Sequence, residues 1–159
     1  MRRALKAIKE RTVIEEILHH AAVGRLGTMG KDGYPMIKPL NFVYHGGAVY
    51  FHTALEGEKI DDIRRNDRVC FEVDQPISYV KSDSKPCSAS YHFQSVIIRG
   101  RGRMVSDREE KIDALGALMK KYQPEGGYGD FAEEKLAITG VVRIDIEEMA
   151  GKHDLASYE

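Results

Sequence analysis

The stretch "VYFHTALEGEKIDDIRRN", Val49–Asn66, begins as a strand and ends as a helix. Ile60 and Ile63 fall on the inward side of that helix, while Arg64 and Arg65 point out. Where strand hands over to helix stand a hydroxyl, a glycine and a lysine: Thr53, Gly57 and Lys59. A helix N-terminus offers free backbone N–H groups and a partial positive charge, so it accepts anions, and phosphate above all. Thr53 adds a hydroxyl, Gly57 lets backbone approach a ligand, and Lys59 adds a full charge in the first turn. Taken alone, the trio also fits an ordinary helix start.

Working outward, "AVYFHT" (48–53) reads as the third of three strands. "VGRLGTMG" (23–30) is the first and "PMIKPLNFVY" (35–44) the second, joined by the turns "KDGYP" and "HGG". Short turns between strands predict an antiparallel meander. Ahead of it, residues 10–22 read as an amphipathic helix, with Val13, Ile14, Ile17, Leu18 and Ala21 at helical spacing and Thr12 as N-cap. His19 and His20 end that helix; adjacent helical residues do not share a face, so they suit its C-terminal charge rather than a metal.

After the opening stretch, "RVCFEVD" (68–74) is a fourth strand and "QPISYVKSDSKPCSAS" (75–90) a loop. "YHFQSVIIRGRGRMVS" (91–106) is a long strand or a pair of strands, and Gly100 and Gly102 predict a bulge or sharp coiling there. Asp107 caps a helix carrying Ile112, Leu115, Leu118 and Met119; "QPEGGYGDF" (123–131) is a loop. "AITGVVRIDIEEMAGK" (137–152) supplies the last strand. The sum is a mainly β chain with flanking helices. Many short antiparallel strands predict closure into a barrel, which removes exposed edges.

The 159 residues suit a single domain, 1–159, with a substantial core. A formal net charge of -1 argues against a general nucleic-acid binder. No apolar run approaches the roughly 18 residues that span a membrane, and "MRRALKAIKERTVIEEILHHA" lacks the apolar region of a secretory signal. Two cysteines, Cys70 and Cys87, fit a reducing cytoplasm better than a disulfide scaffold. Cys70 reads as core; Cys87, beside Lys85 in a polar loop, is a passive or a reactive thiol. No Cys/His spacing suggests a metal. Arg99, Arg101 and Arg103 share one strand face, to pair with acidic neighbours or line an anionic channel.

Four stretches together carry a resemblance: "GRLGT" (24–28), "DGYPMIKPLNFVYHGGAVYFHTALEGEKIDDIRRNDRVCFEV" (32–73), "SYHFQSVIIRGRGRMV" (90–105) and "VVRIDIEEMAGK" (141–152). In order and separation they resemble the flavin-binding split-barrel, or pyridoxamine 5′-phosphate oxidase-like, superfamily. The branch they look most like is that of the nitroimidazole-resistance-type proteins. The resemblance covers roughly residues 10–155, and its most specific parts are "YFHTALEGEK" and "FQSVIIRGRGRMV".

The resemblance implies a six-stranded antiparallel split barrel that forms a homodimer, with FMN at the interface. By the same likeness Met36, Ile37, Lys38, Pro39, Leu40 and Asn41 run along the flavin ring. His52, Thr53 and Ala54, with Gly57, Glu58 and Lys59, hold its phosphate. Tyr91, Gln94, Ser95 and Val96 reach in from the partner chain. It implies an FMN-dependent oxidoreductase acting on a nitro-aromatic or quinone-like compound. A flavin store or sensor, or a haem- or deazaflavin-binding relative, is the alternative. His52, where such relatives often carry histidine, is the candidate proton donor, because imidazole titrates near neutrality. Lys38 is placed to raise the flavin's potential. No G-x-G-x-x-G is present, so a nicotinamide donor would stack on the ring. Two departures stand out. Oxidases of pyridoxamine phosphate carry Ser-Arg-Lys where this chain has Gly57-Glu58-Lys59. They also end in an Arg-x-His signature that the ending "HDLASYE" lacks. Vitamin B6 oxidation is therefore not the expected reaction.

Overall fold

A computed structural model describes residues 6–83 and 85–155. The first five residues of the N-terminal stretch, Ser84 in the 75–90 segment, and the last four residues of "HDLASYE" lie outside the described residues. The chain runs β1 (Ala7–Ile8), α1 (Arg11–His20), β2 (Gly24–Met29), β3 (Pro35–Leu40), β4 (Val43–His45), β5 (Ala48–Ala54) and α2 (Glu58–Arg65). It continues with β6 (Arg68–Val80), β7 (Ser90–Met104), α3 (Arg108–Tyr122), α4 (Glu133–Ile138) and β8 (Thr139–Asp154). The strands form one antiparallel sheet in the order β3-β2-β6-β7-β8-β5-β4, with β1 added to β8.

Among the described residues the sheet has eight strands where six are expected; the extra two, β1 and β4, are only two and three residues long. It also does not close by hydrogen bonding, because β3 and β4 are the two ends of the path. The expected meander fails at the same point. "PMIKPLNFVY" breaks after Leu40, so β3 pairs with β2 and β4 pairs with β5, at opposite edges. Tyr122 pins this crossover: its hydroxyl accepts the Phe42 N–H (2.9 Å) and lies 2.8 Å from the Ala22 carbonyl oxygen.

The 75–90 segment is not all loop. β6 and β7 pair from Arg68↔Arg101 out to Val80↔Ser90. Pro76, which has no N–H to give, sits where the register shifts, and that is how a proline enters a ladder. Further along, β7 and β8 slip register between Arg99 and Gly100, as the glycines predict. A Cβ on Gly100 would lie 2.2 Å from the Asp145 carbonyl oxygen, so no other residue fits there. Asp107 caps α3 by accepting the Glu110 N–H (2.8 Å). Thr12 does not cap α1, which starts at Arg11 after Glu10 and has no side-chain cap. The 137–152 segment begins as the end of α4 and becomes strand only at Thr139.

Two cores lie on opposite faces of the sheet. Inside the curl, α1 brings Ile14, Ile17 and Leu18 against Phe42, Phe51, Phe71 and Ile144. On the outside, α3 brings Ala114, Leu115 and Leu118 against Val43, Ala48, Tyr50 and Val141. Each fully buried large side chain contributes about 1.5–3 kcal/mol. Strand alternation sorts the residues: on β5, Val49 and Phe51 enter the first core, Ala48 and Tyr50 the second. The same rule corrects Cys70. Val69, Phe71 and Val73 point inward, so Cys70 between them is exposed, as is Cys87.

Candidate functional site

The handover from β5 to α2 needs glycine at position 57, where φ is 129°. At that φ any side chain is strained. No side chain caps α2, so its first N–H groups remain open to a ligand. Lys59 lies half-buried with its ammonium 5.9 Å from the centre of the Phe51 ring. Burial, and then the nearby charge of Lys38, hold its pKa below the ordinary lysine value; no carboxylate among the described residues opposes them. An open helix start, a glycine and an unneutralised lysine match the needs of a phosphate.

Glu58, the departure noted above, is turned toward Lys38 on β3 and forms an ion pair with it. That pair ties the edge strand to the start of α2 across the open side of the sheet. Lys38, Lys59 and Glu58 together leave one net positive charge, so the residues present fit an anionic group. Along β3, Met36, Lys38 and Leu40 face inward and are half-buried, whereas Ile37 and Pro39 are exposed. The outer edge of β3 has no strand partner among the described residues, which frees backbone groups for a ligand.

One residue that anchors this site was not read from the sequence. Asp62 is 2% exposed and accepts hydrogen bonds from the Thr28 hydroxyl (2.8 Å) and Arg65 Nη2 (2.7 Å). Arg65 also reaches the Met29 carbonyl at 2.7 Å. Burial works to raise the Asp62 pKa, but the Arg65 and Thr28 bonds outweigh it and hold the carboxyl below the usual range. Its sequence signal was slight: a carboxylate beside Ile63 on the buried side of the helix, with an arginine three residues on.

The structure separates two residues that the resemblance groups together. Thr53 continues the face of Val49 and Phe51; His52 continues that of Ala48 and Tyr50. His52 therefore points away from Thr53 and Lys59, toward α3 and α4. With Asn41 and Thr139 it lines a cavity of about 600 Å³, whose apolar wall comes from Leu115, Leu118 and Met119 of α3 and from Phe131 and Leu136. The wall was not foreseen, because α4 was not.

The third group of predicted residues lies elsewhere. Thr53 pairs with Gly140 and Ser95 with Lys152, at opposite ends of β8. Those positions are twelve residues apart on β8, up to about 40 Å along the strand at roughly 3.3 Å per residue. One chain does not bring Tyr91, Gln94 and Ser95 to Lys59. Tyr91 is exposed beside Tyr79, with ring centres 5.8 Å apart, and Gln94 Nε2 donates to Gln75 (2.6 Å). The Val96 side chain is fully buried in the first core, which leaves only its backbone for a ligand.

The arginine row is neutralised. Arg99 meets Glu148 at 3.4 Å, Arg101 meets Asp67 (2.9 Å) and Glu147 (2.7 Å), and Arg103 meets Glu110 (3.1 Å) and Asp145 (3.3 Å). These cations serve the sheet rather than an anionic channel. Among the described residues no group of His, Cys, Asp and Glu is arranged to hold a metal, and no helix is long and apolar enough to cross a membrane.

Solved structures share this fold. A Bacteroides thetaiotaomicron protein, provisionally named a 5-nitroimidazole antibiotic resistance protein, is 28% identical with a TM-score of 0.81, over 92% of this chain and 86% of that one. The FAD binding protein from Mycobacterium smegmatis is 26% identical with a TM-score of 0.61, over 92% and 98%. The flavocytochrome Anf3 from Azotobacter vinelandii shares the fold at 20% identity, with a TM-score of 0.87 over 98% and 72%. No curated protein matches the sequence. The family model described as pyridoxamine 5′-phosphate oxidase matches residues 10–153, and the chain belongs to that family.

Proposed function

We propose that this protein binds FMN between β3 and the β5–α2 junction. We further propose that it works as a homodimer that passes reducing equivalents to a small nitro-aromatic or quinone-like compound. The observation that carries the reading is Lys59: a half-buried ammonium with no carboxylate partner among the described residues, beside an uncapped helix start and a glycine at φ 129°. The family match over residues 10–153 and the 28% identical relative support it.

Flavin, when bound, supplies the redox chemistry itself; the chain supplies binding, orientation and proton handling. Lys59 and the first N–H groups of α2 take the phosphate, with Thr53 donating its hydroxyl. The free edge of β3 offers backbone groups to the ring. Lys38 is offset by Glu58, so its effect on the flavin potential is smaller than that of a lone cation. His52, on the far face of β5, is placed to give a proton to a substrate in the neighbouring cavity. Tyr91, Gln94 and Ser95 meet the flavin only if a second chain supplies them, because within one chain they lie at the other end of the sheet.

FAD in place of FMN is a second reading, favoured by the FAD binding protein from Mycobacterium smegmatis at 26% identity. The decisive experiment is to load the purified protein, record its visible spectrum, and identify the extracted flavin. Lys59→Ala should then weaken FMN binding about tenfold to a hundredfold, the loss of one charge-assisted contact. Riboflavin, lacking the phosphate, should bind both proteins alike. A protein that takes up no flavin ends the proposal, and equal losses for FMN and riboflavin remove Lys59 from the phosphate site.

A further inference from the structure

We infer that the cleft bounded by the end of α1, β4 and α3 is a second small-molecule site, where the amine of Lys121 condenses reversibly with a small aldehyde that also carries a carboxylate. The inference is independent of the flavin reading, because the cleft uses none of the residues proposed to hold FMN.

The cleft encloses about 640 Å³, within the roughly 300–1,000 Å³ typical of small-molecule sites. One wall is a single stripe of α3: Asp113, Gly116, Ala117, Lys120 and Lys121 recur at the spacing of one helix face. The neighbouring stripe, Ala114, Leu115 and Leu118, packs on the sheet. Gly116 weakens the helix, yet no packing contact demands it, because a Cβ there would meet no atom within 4 Å. The effect of the missing side chain is to leave the cleft open. His19, Tyr44 and His45 form the facing wall.

Lys121 has no carboxylate partner among the described residues. Its nitrogen stands 3.8 Å from the centre of the Phe42 ring and donates to the Leu18 carbonyl at 3.1 Å. That bond takes one N–H and needs no charge, so a neutral amine keeps it while its lone pair stays available. The titratable groups around it are His19 from α1, Tyr44 and His45 from β4, and Asp113, Lys120 and Tyr122 from α3. Asp113 is turned to His45, 2.7 Å away. Burial lowers the Lys121 pKa to about 8. Roughly half of the amine is then neutral at pH 8, against under about 1% of an ordinary lysine.

The amine lone pair attacks the aldehyde carbon, and the carbonyl oxygen takes a proton to give a carbinolamine. The C–O bond then breaks, the oxygen leaves as water, and a C=N bond replaces the C=O. Nothing is oxidised or reduced, and no second reagent is needed. His19 can carry the proton between the two steps. Lys120, exposed and lining the same cleft, supplies the charge that holds the carboxylate.

The test exposes the purified protein to short pulses of 4-carboxybenzaldehyde, quenched with sodium borohydride to fix the imine as a secondary amine. Peptide mass mapping then locates the adduct. One label per chain should appear, on Lys121. Labelling should saturate with aldehyde concentration and rise with pH to a plateau above about 8. Benzaldehyde, lacking the carboxylate, should label severalfold more slowly, and Lys120→Gln should remove that difference. Lys121→Met should take no label at the site. Gly116→Leu keeps the lysine and fills the cleft, so it serves should Lys121→Met not fold; it should slow labelling at least about tenfold. The proposal is overturned if label spreads over other lysines and spares Lys121, or if uptake rises with aldehyde without saturating. It is equally overturned if Gly116→Leu labels as fast as wild type, or if benzaldehyde labels as fast as the carboxylate-bearing probe.

Discussion

Asp62→Ala is the sharpest test of how the fold holds the proposed phosphate site. The substitution removes a carboxylate that is 2% exposed and leaves the Thr28 hydroxyl, on a residue 5% exposed, without its acceptor. An orphaned buried hydroxyl costs about 1–3 kcal/mol. Arg65, the other partner, has a side chain 41% exposed and can turn to water, so losing that pair adds only about 0–1 kcal/mol. The sum centres on about 2.5 kcal/mol, or roughly 5–10 °C in melting temperature for a chain of this size. Asp62→Asn keeps an acceptor for Thr28 and should cost about 1 kcal/mol, the charge-assisted part alone. The measurement is urea or thermal unfolding followed by circular dichroism, with Thr28→Val and the double variant completing the cycle. The double variant should lose less than the sum, because removing the hydroxyl removes the orphan. The sign with pH is fixed by the lowered carboxyl: its contribution is present above the ordinary carboxylate value and disappears as pH falls through the folded value. Wild type should therefore show an acid limb that Asp62→Asn lacks. An Asp62→Ala loss below about 1 kcal/mol, with strict additivity to Thr28→Val, would refute the anchoring role.

Glu58→Gln should tighten FMN binding severalfold by removing a carboxylate from the helix start and freeing Lys38, with riboflavin unaffected; weaker FMN binding would show that the Lys38 pair builds the site. Sedimentation of the flavin-loaded protein should show a dimer, and a monomer retaining one flavin per chain would dismiss the shared site. Lys121, whose ammonium stands 3.8 Å from the Phe42 ring centre and donates to the Leu18 carbonyl, is pushed down by burial to about 8. Stability should accordingly rise as pH increases above 8, where the unfolded chain still holds the proton, and Lys121→Met should flatten that rise. His52→Gln should retain flavin but reduce a nitro-aromatic about 10²–10⁴-fold more slowly, and equal reoxidation rates in stopped flow would make His52 a bystander.

Much of the fold was legible because it depends on local rules. The alternation in β8, the Asp107 cap and the bulge at Gly100 each follow from residues adjacent in the chain. What was missed depends on partners distant in sequence. The outer arm of the β6–β7 hairpin exists because residues 75–80 find 90–94 opposite them; its Pro, Ser and Lys content otherwise reads as loop. The break between β3 and β4 is held by Tyr122, eighty residues away from Phe42, and no local signal announces it. Cys70 was placed in the core by its apolar neighbours, although period two puts it on the other face. Of the site, Gly57 and Lys59 were readable as a helix start. The Glu58–Lys38 pair was not, because it bridges two elements that only the curl of the sheet brings together.

The same period of two bears most on function. Because successive strand residues face opposite ways, neighbouring His52 and Thr53 cannot serve one small pocket with their side chains. Thr53 belongs to the inner face, with Phe51 and Lys59; His52 belongs to the outer face, where α3 and α4 enclose a cavity. A sequence motif that treats "HT" as one binding unit conflates two faces of the sheet that the backbone holds apart. The separation also gives the outer helices a purpose beyond covering the sheet. Had α3 packed as closely over His52 as it does over Tyr50, the end of β5 would be core. Instead α3 ends at Tyr122 and α4 begins at Glu133, and a cavity lined by apolar side chains of both helices and by Phe131 lies beside the histidine. A one-residue slip of β5 against β8 would exchange the two faces, bury the imidazole and expose the threonine. The register Phe51↔Val142, fixed by two apolar residues facing the first core, is thus what assigns the histidine to the cavity.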